Sequence, residues 1–355
     1  MSSRWFLALL GALAVAPACG DDSSTGTGGT GGGAGGTPSA PAWQVVFDDA
    51  KLDRALLAVW GTSSKSVYAV GGPLKNSGFD ALAIHFDGKT WKDLKPGGTS
   101  SFWWVHGTSD SDIWMVGEDG RITHYDGQSF VEHQSGTTAT LWGLMAFSPT
   151  DVWAVGGMVG GPSTTPDDVV LHYDGSAWSP VVLPGAPKNR AHFKVWGTSS
   201  DDLFVVGEAG VIWHKKGSEW VLESDPPVSS GTITTVHGCS ATDVWAVGGR
   251  DLLHYDGAAW TRLDRTLTND VNGVFCGGGG VGIVGMGGLK QRYDGSAWAD
   301  DFSADPHGDL HAIWRDETGA YWAVGGEFIG SPKPNVKRNG IVTRYGPGTV
   351  PTTLE

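Results

Sequence analysis

The sequence has few charged residues, and basic residues are the scarcer kind. Charged side chains make up 17% of the 355 residues, against about 25% in an ordinary globular domain. Lys and Arg number 24 and Asp and Glu number 38, which gives a net charge of −14. An acidic chain repels a phosphate backbone and offers it no basic surface, so nucleic acid is excluded as a main partner.

Glycine and tryptophan, by contrast, are abundant. The chain has 56 Gly, and its 18 Trp outnumber the 12 Phe and the 7 Tyr. Glycine at roughly twice its average usage disfavours a helical bundle, and the many aromatic side chains disfavour a disordered chain. The composition therefore favours a folded protein with many turns.

The apolar run at residues 5–15 is too short to span a bilayer and is typical of a secretory signal peptide. Ala16 and Ala18 precede Cys19 and resemble a bacterial lipobox, although the usual Leu of that motif is replaced by Ala16. We expect residues 1–18 to be a signal peptide and Cys19 to carry the lipid. Ordinary cleavage after Ala18 is the alternative.

Residues 19–42 are mostly Gly, Ser, Thr, Ala and Pro, a composition typical of a flexible linker with a reach of about 25 Å. We expect an exported lipoprotein of the cell envelope, on the periplasmic or surface side of the outer membrane, with the lipid as its only membrane contact. Without lipidation, the protein would be secreted.

One sequence unit then recurs seven times. Its clearest copy is Asp-Val-Trp-Ala-Val-Gly-Gly at 243–249, followed by His-Tyr-Asp-Gly at 254–257 and by Trp260. The first glycine after the aliphatic run recurs at Gly71, Gly117, Gly156, Gly207, Gly248, Gly285 and Gly325. The mean spacing of about 42 residues fits four short strands with their turns, which is one blade of a β-propeller.

The ends of the repeated region predict how the ring closes. Six units have a fourth strand that opens with an aromatic residue, but the chain ends without one in the seventh. Residues 42–47 match such a strand and have no first three strands before them. We therefore predict an all-β, seven-bladed propeller of four-stranded blades at 43–346, closed by this N-terminal strand, with 347–355 as a C-terminal tail.

The aliphatic run into Gly-Gly, followed by Tyr-Asp and Trp, resembles the kelch and sialidase-like (BNR) repeats of bacterial propellers over residues 43–346. The double glycine is intact in units 1, 3, 5 and 7, and the Ser-x-Asp-x-Gly-x-Thr-Trp box of the sialidase-like enzymes is missing. The resemblance implies the propeller fold and does not imply a particular activity.

The third strand of the first five units carries a histidine, at His85, His124, His172, His214 and His254. These positions lie around a wheel, too far apart to bind one metal ion. We expect each imidazole to bond a carboxylate of its own blade, at Asp112, Asp151, Asp202 and Asp243. No metal site, catalytic residue or cofactor is predicted.

Cys239 and Cys276 fall at one register, two residues past His237 and Val274 on the inner strands of adjacent blades. In an oxidising compartment they can form a disulfide if their Cα atoms lie within about 7 Å. Two free buried thiols are the alternative.

Long loops between the second and third strands, at 72–82, 157–170 and 326–340, break the repeat and share one face with the connections between blades. This face is the predicted binding surface. The candidate ligand-binding residues are Lys75, Asp80, Asp167, Asp168, Arg190, His192, His307, Lys333, Lys337 and Arg338. Lys75, Lys333, Lys337 and Arg338 are expected either to form a basic patch or to be solvated loop charges.

The sequence favours a monomeric, surface-tethered module that binds a protein or a polysaccharide. A glycosidase or polysaccharide lyase with its site at the channel mouth is one alternative, and a structural component of an envelope assembly is another. A retaining glycosidase needs two carboxylates about 5 Å apart, and no pair in adjacent units suggests one.

Overall fold

The computed structural model describes residues 40–48, 51–75, 78–160, 168–185, 190–225, 227–330 and 336–355. The predicted signal peptide, Cys19, most of the linker, Asp167 and Lys333 lie outside these ranges. Among the described residues, no helix has the length and apolar character needed to cross a membrane.

The described chain consists of 28 strands and three single-turn 3-10 helices. In chain order the strands are β1 (Ala42–Phe47), β2 (Ala55–Ser63), β3 (Ser66–Gly72), β4 (Leu82–Phe86), β5 (Trp91–Asp93), β6 (Phe102–Ser109), β7 (Asp112–Gly117), β8 (Ile122–Tyr125), β9 (Phe130–His133), β10 (Leu141–Ser148), β11 (Asp151–Gly156), β12 (Val169–Tyr173), β13 (Trp178–Pro180), β14 (His192–Ser199), β15 (Asp202–Gly207), β16 (Ile212–Lys216), β17 (Glu219–Leu222), β18 (Thr235–Ser240), β19 (Asp243–Gly248), β20 (Asp251–Tyr255), β21 (Trp260–Arg262), β22 (Val271–Gly277), β23 (Gly280–Gly285), β24 (Lys290–Tyr293), β25 (Trp298–Asp300), β26 (Leu310–Arg315), β27 (Tyr321–Gly326) and β28 (Gly340–Gly346). The 3-10 helices are Glu118–Gly120, Glu208–Gly210 and Met286–Gly288.

These strands form seven antiparallel sheets of four strands, so the predicted seven-bladed propeller is confirmed. Blade 1 is β2-β3-β4-β5, and each later blade takes the next four strands. Blade 7 combines β26, β27 and β28 with β1 from the other end of the chain.

The predicted closure by the N-terminal strand is also confirmed. β1 pairs antiparallel with β28, with Trp43 opposite Tyr345 and Gln44 opposite Arg344. The Thr343 hydroxyl donates a further hydrogen bond to the Gln44 carbonyl at 2.7 Å. The last blade is therefore held by backbone pairing between the two ends of the chain.

The C-terminal tail makes a second join, which the sequence did not predict. The Trp91 N–H donates to the Thr353 carbonyl at 3.2 Å, and the Glu355 N–H donates to the Trp91 carbonyl at 2.8 Å. Leu354 packs on the core of blade 1, where Trp91 is fully buried. The tail thus adds a short parallel bridge to the outer strand of blade 1.

The two faces of the ring differ in their chain segments. The turn face carries the tight hairpins that join strand 1 to strand 2 and strand 3 to strand 4 of each blade. The loop face carries the connections from strand 2 to strand 3 and from blade to blade. Five turn-face hairpins have the predicted Asp-Gly pair with glycine φ values of 86–94°, at Gly88, Gly127, Gly175, Gly257 and Gly295.

The expected His–Asp pairs occur within the blades and link the third strand to the turn. The Nε2 atoms lie 2.8–2.9 Å from the carboxylates, in the pairs His124–Asp112, His172–Asp151, His214–Asp202 and His254–Asp243. In blade 1, Ser66 replaces the aspartate, and His85 bonds its hydroxyl at 2.8 Å. Each imidazole also packs against the aromatic ring of the second strand, as His124 does against Trp114 with ring centres 4.3 Å apart.

Candidate functional site

The long loops of blades 7 and 1 meet over the inner strands on the loop face. Phe328 of the blade 7 loop and Leu74 of the blade 1 loop pack in one cluster with Leu57 and Trp103. The Phe328 ring also lies 5.0 Å from the His311 ring. The predicted proximity of these two loops therefore follows from ring closure.

A β-bulge at the start of six inner strands leaves one residue of each strand unpaired, namely Leu57, Trp103, Trp142, Phe193, Asn272 and His311. The Trp103 ring contacts Trp142 at 4.5 Å and His311 at 5.5 Å. Trp103 and His311 belong to blades 2 and 7, which blade 1 separates, so their contact spans the inner strand of blade 1. We call Leu57, Leu74, Trp103, Trp142, Phe193, His311 and Phe328 the mouth cluster.

A buried lysine lies next to the mouth cluster. The Lys194 Nζ atom donates to the Trp142 carbonyl at 2.6 Å and lies 4.2 Å from the centre of the Trp104 ring. Lys194 is 3% exposed, and this burial lowers the pKa of its amine to about 7. Burial, together with the charge of Lys194, lowers the pKa of His311 to about 3.

Two further histidines lie on inner strands nearer the turn face. The Nδ1 atom of His106 accepts a hydrogen bond from the Ala146 N–H at 3.3 Å, and that of His237 accepts one from the Cys276 N–H at 3.2 Å. Burial lowers the pKa of His106 to about 4 and that of His237 to about 3. Both imidazoles are therefore neutral at pH 7 and tie one blade to the next.

Most of the described candidate residues lie in solvent-accessible loops of the loop face. Lys75, Asp80, Arg190, His307 and Lys337 are exposed, and Asp168 is half-buried. The His307 Nε2 atom lies 3.5 Å from Asp305. The structure does not gather these residues into one pocket, and their role in binding stays a prediction.

Two candidates point away from solvent. The Arg338 guanidinium donates to the carbonyls of Glu327 and Gly330 at 3.2 Å and is 8% exposed, so it braces the blade 7 loop from inside. His192 is 1% exposed, and neither of its ring nitrogens has a hydrogen-bond partner in the described part of the chain. Burial lowers the pKa of His192 to about 4. It pairs with Gly207 as Leu141 pairs with Gly156, so it occupies a core position.

Two glutamates directly follow the repeated glycines Gly117 and Gly207, and their carboxylates hold loops in place. Glu118 Oε2 accepts hydrogen bonds from the Ser101 N–H at 3.1 Å and from its hydroxyl at 3.0 Å. Glu208 accepts from the Ala191 N–H at 2.8 Å and from the Gly160 N–H at 3.1 Å. Burial raises the pKa of Glu118. These two groups lie in blades 2 and 4 and do not form a catalytic pair.

Exposed apolar side chains concentrate on the loop face. Six of the eight large hydrophobic residues that are exposed in the described chain lie in its loops: Met158, Val159, Val182, Phe302, Ile329 and Val336. The other two, Val131 and Val221, lie on outer strands. These six residues lie in the connections of blades 3, 6 and 7, and exposed apolar surface of this kind is typical of interaction sites.

A groove between blades 2 and 3 contains some of these residues. Its cavity volume is about 1170 Å³, and its lining includes Met158, Val182 and Asp168. The Arg121–Glu132 ion pair, at 2.7 Å, lies on one wall. The groove therefore combines apolar contact area with polar groups at its rim.

Cys239 and Cys276 form a disulfide, with their Cα atoms 4.9 Å apart. The matched register expected for them is wrong by one residue. In blade 5, His237 pairs with Trp245, and the equivalent pair in blade 6 is Phe275 with Gly282. Phe275, not Val274, is therefore the equivalent of His237, because the blade 6 hairpin is one residue shorter. The bridge connects blade 5 to blade 6 near the turn face.

The sequence matches no protein-family model and no curated protein. Its fold matches many solved structures. YCF48 bound to a D1 peptide superposes with a TM-score of 0.62 at 14% identity, over 85% of this chain and 96% of that one. A streptogramin B lyase gives 0.65 at 12% identity, over 87% and 98%. The RRP9 WD40 repeats give 0.65 at 12% identity, over 88% and 100%. At these identities the likeness shows the propeller fold alone.

Proposed function

We propose that this protein is a binding module that docks a protein partner on its loop face. The observation that carries the proposal is the concentration of exposed large hydrophobic residues in the loops of that face. Exposed apolar side chains on one face offer a partner contact area that docking would remove from water. The structure of YCF48 with a D1 peptide is an instance of a propeller of similar fold that binds a peptide.

A protein is favoured over a polysaccharide because five of these six side chains are aliphatic or thioether groups. Methionine is enriched at protein interfaces. In the groove between blades 2 and 3, Asp119, Glu132 and Asp168 outnumber Arg121. The preferred ligand is therefore an apolar peptide segment flanked by basic residues.

The direction of β1 relates the binding face to the proposed lipid anchor. Ala42 pairs with Gly346, at the place where the hairpin between the third and fourth strands lies in other blades. The chain before residue 42 therefore joins the ring at the turn face. If Cys19 is lipidated after export, the tether would attach to the ring at the face opposite the proposed docking surface.

The alternatives have less support. A glycosidase needs two free carboxylates close together, whereas Glu118 and Glu208 accept backbone hydrogen bonds in separate blades. A structural role in an envelope assembly would use the same face and differs in the partner alone. Whether the repeats are of the kelch or the sialidase-like type stays a prediction.

The test is selection of binders from a random peptide display library on the immobilised protein. Enriched peptides are then titrated against the wild type and the Met158→Asp and Ile329→Asp variants by fluorescence anisotropy. We expect apolar-basic peptides that bind at least tenfold more weakly to one of the two variants, because a buried carboxylate opposes docking.

Val131→Asp is the matched control, because Val131 is 49% exposed but lies on the outer strand β9. It should leave binding unchanged. Failure to enrich any peptide, or an equal loss in Val131→Asp, would contradict the proposal. Glycan-array binding without peptide binding would instead support the polysaccharide alternative.

A further inference from the structure

An aspartate begins the second strand of most blades. In the two blades where a threonine lies four residues before this aspartate, both carboxylate oxygens accept hydrogen bonds. In blade 4, Asp202 Oδ1 accepts from His214 at 2.8 Å, and Asp202 Oδ2 accepts from the Thr198 hydroxyl at 2.6 Å. In blade 2, Asp112 binds His124 and the Thr108 hydroxyl in the same way. The threonine thus satisfies the second oxygen.

Blade 5 breaks this arrangement, because Cys239 occupies the place of the threonine. Asp243 Oδ1 still accepts from Trp245 Nε1 at 2.8 Å and from His254 at 2.9 Å. Asp243 Oδ2 has no N–H or hydroxyl donor in the described chain, and the Cys276 Sγ atom lies 4.0 Å from it. The carboxylate is therefore held by two side chains with one oxygen turned toward the disulfide.

The sulfur atoms of Cys239 and Cys276 and a carboxylate oxygen of Asp243 all lie within 4.8 Å of one another. Thiolate sulfur and carboxylate oxygen are ligands of Zn²⁺, at about 2.3 Å and about 2.0–2.2 Å respectively. Cys239 is exposed, and Asp243 lines a cavity of about 740 Å³ between blades 5 and 6. Water can therefore reach the site and supply a fourth ligand.

We propose that reduction of the Cys239–Cys276 disulfide opens a site for one Zn²⁺ ion, bound by both thiolates and by Asp243 Oδ2. A dithiol reductant supplies two electrons and two protons to cleave the S–S bond and is itself oxidised to a disulfide. Zn²⁺ then displaces both thiol protons to solvent. The sulfur atoms move apart to about 3.8 Å, as the tetrahedral geometry requires.

Trp245 and His254 are positioning residues in this site. Their hydrogen bonds to Oδ1 orient the carboxylate so that Oδ2 faces the sulfur atoms. The site lies near the turn face, so it is independent of partner docking on the loop face. The two cysteines thus form a covalent bridge between blades 5 and 6 when oxidised, and with Asp243 they would form a metal bridge when reduced.

The experiment uses the full chain with Cys19→Ser, so that the two remaining cysteines are those of the site. The protein is reduced with a phosphine, freed of reductant without air, and titrated with Co²⁺, whose thiolate charge-transfer absorption reports sulfur ligation. We expect one Co²⁺ per chain, displaced by Zn²⁺, and no such absorption from the oxidised protein.

Asp243→Asn should weaken Co²⁺ binding at least tenfold, and the matched variant Asp202→Asn, with Thr198 in place of a cysteine, should change it less than twofold. Equal effects of these two variants would overturn the proposal, as would the absence of thiolate-to-cobalt absorption in the reduced, folded protein. Circular dichroism checks the fold after reduction.

If reduction alone unfolds the chain, the Cys239→His variant tests the site without a reductant. It cannot form the bridge and keeps a His, Cys and Asp ligand set. Binding of one Zn²⁺ per chain by this variant, lost on addition of Asp243→Asn, supports the proposal. Absence of Zn²⁺ binding by the folded variant overturns it.

Discussion

The turn face and the loop face are built from the same seven blades but use their polar and apolar groups differently. On the turn face, the aspartate at the start of the second strand bonds side chains of its own blade, as Asp112 does with His124 and Trp114. On the loop face, Met158 and Ile329 are 52% and 62% exposed. The turn face thus uses its polar groups mainly in hydrogen bonds within the ring, whereas the loop face leaves apolar groups available to a partner.

The largest expected effect contrasts a repeated aromatic with a loop residue. Trp114 is 1% exposed, bonds Asp112 and contacts the rings of His124 and Trp178. Trp114→Ala should lower the free energy of unfolding by about 3–5 kcal/mol. Met158→Ala should change it by less than about 0.5 kcal/mol. Urea unfolding of both variants measures this, and equal losses would break the contrast between the faces.

The repeated features were predictable from the sequence because each occurs in several units. The glycine after the aliphatic run, the Asp-Gly turns and the third-strand histidines recur at fixed offsets. A residue that fits the pattern by chance in one unit can therefore be recognised by comparison with the other units. The closure by β1 followed from the same logic, since residues 42–47 are the fourth strand that the last unit lacks.

Features that occur once could not be predicted in this way. Lys194 on an inner strand carries no local signal that its amine crosses the ring to Trp104. The burial of the Arg338 side chain depends on the path of the blade 7 loop. The register of Cys276, which follows Phe275 and not Val274 as the equivalent of His237, depends on a hairpin that is one residue shorter. The contact of the tail with β5 arises between sequence segments that share no pattern.

The second prediction concerns Lys194, a buried residue that opposes folding. Lys194→Met should raise the free energy of unfolding at pH 6 by about 2–4 kcal/mol, because it removes a desolvated amine. The lost hydrogen bond and cation–π contact offset about 1–2 kcal/mol of the gain. Urea unfolding at pH 6 and pH 9 is the measurement, with Lys75→Met on the exposed loop of blade 1 as the control.

The pH dependence has a definite sign. Burial lowers the pKa of Lys194 from 10.5 to about 7 in the folded protein. Between these values the unfolded chain binds the extra proton, so the wild type gains stability as the pH rises. His311, whose pKa burial and the charge of Lys194 lower to about 3, is neutral throughout this window. The advantage of the variant should therefore shrink from pH 6 to pH 9, and a constant difference would disprove the assignment.

A smaller effect is expected at the contact between the C-terminal tail and β5. Deletion of residues 350–355 removes two backbone hydrogen bonds to Trp91 and uncovers its ring, which is fully buried in the intact chain. The corresponding Trp178 and Trp298 have no such cover and are partly exposed. We expect a loss of about 1–3 kcal/mol. The control is Trp178→Phe, a mild change in a blade that the tail does not contact, which should lower the free energy of unfolding by less. If the deletion has no effect, the pairing of β1 with β28 closes the ring without help from the tail.

The smallest effect compares one histidine from each face. His172 bonds Asp151 at 2.8 Å and stacks on Trp153 at 4.5 Å, so His172→Ala should lower the free energy of unfolding by about 1–2 kcal/mol. His307 is exposed, with Asp305 at 3.5 Å, so His307→Ala should cost less than about 0.5 kcal/mol. Urea unfolding at pH 7 distinguishes them. If His172→Ala proves as neutral as His307→Ala, the repeated His–Asp pairs do not stabilise the blades, and the histidines would need another explanation.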